Sequence, residues 1–198
     1  MKRRRGGLTA AALAAFVLLW PLPVLQVTVW DEGSFQDGGG AERTVRIPLV
    51  PGETFGIRYR HSIFEVPVEE RLALARQRFV LVEVWSTTNR IEGYYAFPQG
   101  RLEEMPGYFR LLPGVPVMME TPLRVRATAA GRRTLVVGTR CVPLVSLGPV
   151  VELNWRWEPL VLWLWAAAHQ TILGKEVQLP CPVPAITTTP VPPVPPAA

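Results

Sequence analysis

The sequence predicts a mostly β protein: a β-sandwich-like antiparallel domain with an N-terminal transmembrane helix and a C-terminal hydrophobic helix. Short alternating or β-branched runs recur from Thr44 to Trp157, with turn residues roughly every 8–12 positions, the spacing of a sandwich or barrel. Residues 8–30 carry no charge and follow Lys2, Arg3, Arg4 and Arg5. A second apolar stretch, residues 158–175, has Pro159 near its start and Gly174 near its end.

At 198 residues the chain has room for one ordinary domain with appendages, and a hydrophobic fraction of 48% is enough for a core. The formal charge of +5 is concentrated at the N-terminus. Removing those four cations from 21 leaves 17 basic against 16 acidic residues. A near-neutral body lacks the basic stripe of a nucleic-acid-binding surface, so no nucleic-acid partner is expected.

The apolar run at 8–30 exceeds the roughly 20 residues that a membrane-spanning helix needs. It is also longer than a secretory signal core, and no small-x-small cleavage site follows it. Residues 1–30 are therefore read as a signal anchor in the cell membrane, single-pass, with the membrane as partner through residues 8–30. Secretion after signal cleavage is the alternative. Basic residues before the span stay in the cytoplasm, which puts the body outside. Residues 31–43, DEGSFQDGGGAER, have linker composition.

The β domain is expected at 44–157. TVRIPLV (44–50) ends at the turn pair Pro51-Gly52. TFGIRYRH (54–61) puts Phe55, Ile57, Tyr59 and His61 on one face and Arg58 and Arg60 on the other. VPVEERLALAR (66–76) and RFVLVEVWS (78–86) follow, although alanine and leucine also allow RLALARQ (71–77) a helical turn. Phe79, Leu81 and Glu83 are expected opposite Val80, Val82 and Val84. LEEMPGYF (102–109) breaks the pattern and reads as a loop. YFRLL, PLRVRAT, RTLVVG, CVPLVSL and PVVELNWRW, between 108 and 157, read as further strands.

With Ser62–Glu65 as a corner, His61 faces Val66, Tyr59 faces Val68, Ile57 faces Glu70, and Arg58 and Arg60 share a face with Glu69. Ion pairs on a solvated face of that kind contribute about 0.2–1 kcal/mol each. His61 reads as a hydrogen-bonded structural residue or as part of a site. Trp85, Tyr94, Tyr95 and Phe97 either line a concave site or close one end of the core. The candidate ligand- or partner-binding residues are His61, Ser62, Glu69, Asn89 and Tyr94.

RYRHSIFEVPVEERLAL, followed by FVLVEVWSTTNRIEG, resembles the domain-of-unknown-function family numbered 1850. Members are similar in an aromatic-x-His-Ser start, then Pro-Val-x-Glu, then an apolar strand leading into a glycine-containing loop. The resemblance covers about residues 53–155, with His61, Ser62, Pro67, Val68 and Glu69 or Glu70 at motif positions. Where a compact glycine-alanine-glycine loop is expected, this chain has Asn89-Arg90-Ile91-Glu92-Gly93-Tyr94-Tyr95. The resemblance implies a small exported or membrane-anchored protein of unassigned activity, found beside tripartite, periplasmic-binding-protein-dependent transporters. A transporter permease or solute-binding protein is then the expected partner.

Catalytic signals are weak. Neighbouring strand residues point to opposite faces, so His61 does not readily serve Ser62 as a base. No Gly-x-Ser-x-Gly elbow or phosphate loop is present. His61 and His169, far apart and without a Cys-x-x-Cys pair, make no recognisable zinc site. No enzyme, cofactor or metal is expected. The rivals are a small-ligand-binding domain and a hydrolase using His61 with a carboxylate.

A helix over 159–173 would be about 22 Å long, short of a span, so it is expected to pack on the sandwich or lie at the membrane surface. In the second arrangement Trp155, Trp157, Trp163 and Trp165 sit near the headgroups. Residues 176–198 form a proline-rich tail, with eight prolines between 180 and 198. Cys141 and Cys181, the only cysteines, are expected to pair outside the cytoplasm. Closing that loop of roughly 40 residues would contribute about 4 kcal/mol.

Overall fold

The computed structural model describes residues 16–30, 43–75, 77–173 and 179–180. The mostly β, antiparallel, sandwich-like expectation is met. Strand β1 (Pro21–Trp30) pairs on one side with β2 (Arg43–Pro48) and on the other with β12 (Val150–Pro159). β9 (Leu123–Arg126) completes this first sheet, in the order β2-β1-β12-β9.

The second sheet is built on β3 (Phe55–Arg60), β4 (Pro67–Ala75) and β5 (Arg78–Ser86). Beyond β5 lie β7 (Tyr108–Leu112) and β6 (Arg101–Met105), with β8 (Val117–Met119) also paired to β5. Beyond β3 lie β10 (Thr134–Val137), β11 (Arg140–Pro143) and β13 (Leu179–Pro180). Leu25, Val151 and Leu153 of the first sheet share one buried cluster with Phe55, Leu72 and Phe79 of the second. Phe55 and Phe79 meet edge to face at 5.3 Å.

The largest correction concerns the N-terminus. Residues 8–30 read as one spanning helix, yet Pro21–Trp30 is a strand, paired along both edges. Its polar Gln26 and Thr28 alternate with buried Leu25, Val27 and Val29, a period of two hidden within an uncharged run. The β domain therefore begins at Pro21 and not near Thr44. Among the described residues no helix is long and apolar enough to cross a membrane. Residues 1–15 and the expected linker up to Ala41-Glu42 lie outside the described residues; Arg43 opens β2.

Two further expectations change, and the helical alternative for residues 71–77 falls away in favour of the expected strand. LEEMPGYF is a hairpin: β6 and β7 pair across Pro106-Gly107, where Gly107 takes φ +84°, a conformation glycine adopts without strain. Glu103 within it is tied to Arg101 at 2.6 Å and to Arg110 at 3.5 Å. RLALARQ is strand through Ala75, because β3 and β5 flank β4 and their backbone pairing outweighs helix propensity. A bulge puts Arg71 opposite Glu83 but Leu72 opposite Leu81. The alternation in β5 therefore reverses: Val84 joins Phe79 and Leu81 in the core, and Glu83 and Trp85 turn to the other face.

Helix α2 (Leu160–Leu173) follows directly from β12, whose last residue is Pro159. It packs beside β1, β2 and β12, and Trp163 Nε1 donates to the Leu49 carbonyl at 3.2 Å. Of the two placements expected for this helix, packing on the sandwich is present. Cys141 is buried in β11 and disulfide-bonded, opposite Leu179 of β13. Cys181, its expected partner, and the rest of the proline-rich tail lie outside the described residues.

Candidate functional site

The β3–β4 hairpin pairs in the expected register: Tyr59 opposite Val68, Ile57 opposite Glu70, Arg58 opposite Glu69. His61 N donates to Val66 O at 2.9 Å, and Glu65 N closes the corner on His61 O at 2.8 Å. The twofold period then sorts the polar side chains onto opposite faces.

On the outer face, Glu69 Oε2 lies 2.7 Å from Arg58 Nη2, and Arg71 reaches Glu69 at 4.0 Å. Arg71 and Arg110 both reach Glu83, at 3.4 and 2.5 Å, and Arg71 also sits 4.5 Å over the Trp85 ring. Glu69 and Glu83 are buried, so this is a desolvated ion network and not the solvated face expected. Such a network is held by mutual compensation, because any one member left alone would be a buried charge without a counterion.

The inner face ends in a cleft of about 870 Å³ between the two sheets. Its floor is a triangle of oxygens. Tyr59 and Tyr95 both reach Glu70 Oε1, at 3.0 and 2.6 Å, and their hydroxyls lie 2.8 Å apart. Two phenolic protons serve three contacts. Burial, and then the charge of Glu70, push both phenols well above their ordinary range, so they stay neutral donors.

His61 forms one wall. It is buried, stacked on Phe64 at 4.7 Å and met edge-on by Tyr94 at 4.3 Å. Its Nδ1 accepts from the backbone N–H groups of Ile63 and Phe64, at 3.2 and 3.4 Å. The neutral ring therefore carries its proton on Nε2, which is buried and has no hydrogen-bond partner among the described residues. A buried donor without an acceptor costs about 1–3 kcal/mol, which an acceptor atom placed there would recover.

The mouth carries Arg60, Arg124, Arg132 and Arg133. Arg60 pairs with Glu65 at 3.3 Å and Arg124 with Glu152 at 3.2 Å. Arg133 lies 5.7 Å over the Tyr59 ring. Arg132 and Arg133 have no carboxylate within ion-pair reach among the described residues. The loop that carries them is held against the hairpin where Arg60 N donates to Gly131 O at 2.9 Å.

Of the five candidate residues, His61, Ser62 and Tyr94 line this cleft. Glu69 does not: strand parity puts it in the outer network, and Glu70, its neighbour at the motif, takes the inner position. Asn89 is exposed and away from the cleft, its carbonyl accepting from Glu92 N at the start of helix α1 (Ile91–Tyr95). The aromatics expected together divide: Trp85 faces the outer network, Tyr95 and Phe97 pack against the core, and Tyr94 is exposed over His61. Sequence reasoning missed Tyr59, Glu70 and the arginines, and named Tyr95 only among the aromatics that either line a site or close the core. The first two were legible, since the expected register already placed Glu70 on the Tyr59 face. Arg132 and Arg133 gave no signal, because the pairing of β10 with β3 brings them in.

No hydroxyl or thiol hydrogen-bonds His61 among the described residues, and Ser62 is exposed at the corner. No described group of three His, Cys, Asp or Glu could hold a metal ion. Comparison with known protein families, curated proteins and solved structures returned no match.

Proposed function

We propose that this chain is an extracytoplasmic domain that works by binding, and that the cleft beside His61 takes a small organic anion. Its carrying observation is the pair Arg132 and Arg133, two cations without carboxylate partners among the described residues, at a cleft floored by neutral phenols. The cleft volume falls within the range of small-molecule sites. An anionic group at the arginines, with a remaining acceptor toward His61 Nε2, would satisfy the one buried donor of the cleft that has no partner among the described residues. Glu70 then acts as a selectivity element, disfavouring a second anionic group on the floor and favouring a hydroxyl or amine there.

An accessory role beside a tripartite solute transporter fits this reading and rests on the family resemblance carried by residues 53–155. In that role the domain hands over or senses the transported anion, with a permease or solute-binding protein as partner.

Thermal-shift screening of the protein against small mono- and dicarboxylates tests the binding. The expected result is saturable stabilisation by a subset, lost in the double variant R132A/R133A. Each charge-assisted contact is worth about 1.5–3 kcal/mol, so affinity should fall by roughly a hundredfold or more. Stabilisation that persists unchanged in the double variant would place the anion elsewhere and defeat the proposal.

A further inference from the structure

The two ends of the sandwich differ sharply in chemistry. Pro21 and Pro159 are opposite one another in the β1–β12 register, and Leu160 N donates to the Trp20 carbonyl at 2.9 Å. The chain segment entering β1 and the helix leaving β12 therefore emerge side by side at one end. Residues 16–18 are helical, and every side chain from Phe16 to Trp20 is exposed, from Leu18 at 43% to Leu19 at 65%. Beside them α2 turns Trp163 toward the sheet and leaves Val161, Leu162, Leu164 and Trp165 at 45–53% exposure. Trp157, at the end of β12, is exposed as well. Ten large apolar side chains thus face outward at one end, where a monomer in water would rarely collect them.

We infer that this end of the domain docks on an anionic lipid bilayer, with α2 and residues 16–20 forming a single two-part membrane surface. Three features select lipid over a protein partner. The uncharged sequence continues back from Phe16 to Leu8 and is preceded by Lys2, Arg3, Arg4 and Arg5, cations that are attracted to anionic headgroups. No Asp, Glu, Lys or Arg occurs from Pro159 to Leu173. Trp20, Trp157 and Trp165 stand within this apolar end, as tryptophans do at membrane interfaces. At about 21 Å, α2 is too short to span and suited to lie in the interface. Trp155, expected near the headgroups, packs instead against the core, and Trp163 faces the sheet.

Docking in this way orients the cleft. Its β9 wall pairs with Val150–Leu153, six residues or about 20 Å along β12 from Pro159. The anion site therefore lies along the sandwich from the docked end, and not at it.

The test uses the full chain with vesicles of phosphatidylcholine, with and without phosphatidylglycerol, and with bromine-labelled acyl chains in each. Expected are co-sedimentation that strengthens with phosphatidylglycerol and quenching of tryptophan emission by bromines near the headgroup end. W20F and W157F should each lower the quenched fraction. The exposed-site variant L162E/L164E, with near-UV circular dichroism showing its fold intact, should lower the vesicle partition coefficient about tenfold or more. Unquenched tryptophans in vesicle-bound protein, or a partition coefficient that L162E/L164E leaves unchanged, would overturn the two-part surface. So would a soluble dimer that L162E/L164E converts to monomer, since a second copy would then own the surface.

Discussion

Raising the pH should loosen this domain through two named phenols. Tyr59 and Tyr95 are held above their ordinary value of 10.0, chiefly by burial and then by Glu70. The unfolded chain binds fewer protons at these sites than the folded chain once pH exceeds that ordinary value, so stability falls as pH rises. Below it both states are protonated and the contribution is constant. At about pH 11 each unfolded phenol is roughly nine-tenths ionised, which costs the folded state on the order of 1 kcal/mol per phenol, and roughly 3 kcal/mol at most for the two together. Arginine stays charged throughout, so the ion networks persist across this interval. Urea unfolding at about pH 9 and about pH 11, followed alongside phenolate absorbance, reads the effect. The Y59F/Y95F variant removes both phenols and should lose less stability than the wild type over the same interval, by up to roughly 3 kcal/mol. E70Q should weaken the pH dependence without abolishing it, because burial remains the larger cause. Equal losses in the wild type and Y59F/Y95F would refute the oxygen triangle as drawn.

Other substitutions probe the frame that presents the cleft. Glu83→Leu leaves Arg71 and Arg110 without their shared carboxylate and should cost about 3–5 kcal/mol by chemical denaturation. Leu153→Ala, in the buried cluster between the sheets, should cost about 2–5 kcal/mol by the same measurement. Gly56→Ala would set a methyl carbon 2.9 Å from Glu69 Oε1, so it should lower the melting temperature by displacing the Glu69–Arg58 pair. Val27→Asp should prevent folding altogether, as measured by circular dichroism, because Val27 is fully buried in a strand paired on both sides.

The hairpin was legible because alternation and a short corner fix register together: once Ser62–Glu65 turn, every pairing from His61 to Ile57 follows. The same parity put Glu69 and Glu70 on opposite faces, and only the choice between them went astray. β1 was illegible as a strand because a run without charges satisfies the criterion for a span before its alternation is noticed. Gln26 and Thr28 were the signal, weak beside Val24, Leu25, Val27 and Val29. The β5 bulge left no trace in the sequence: strict alternation groups Glu83 with Phe79 and Leu81, and nothing in FVLVEV marks where the register shifts. Arg132 and Arg133 lie some 70 residues from His61, and only the β10–β3 pairing brings them to one cleft.

The most direct test of the cleft is nuclear magnetic resonance of the His61 ring, with nitrogen-labelled histidine, as a stabilising carboxylate is titrated in. The unliganded ring should show the tautomer protonated at Nε2, and the Nε2–H signal should move with saturation in parallel with the Arg133 side chain. A carboxylate that binds with the same affinity while both signals stay fixed would contradict the site proposed here.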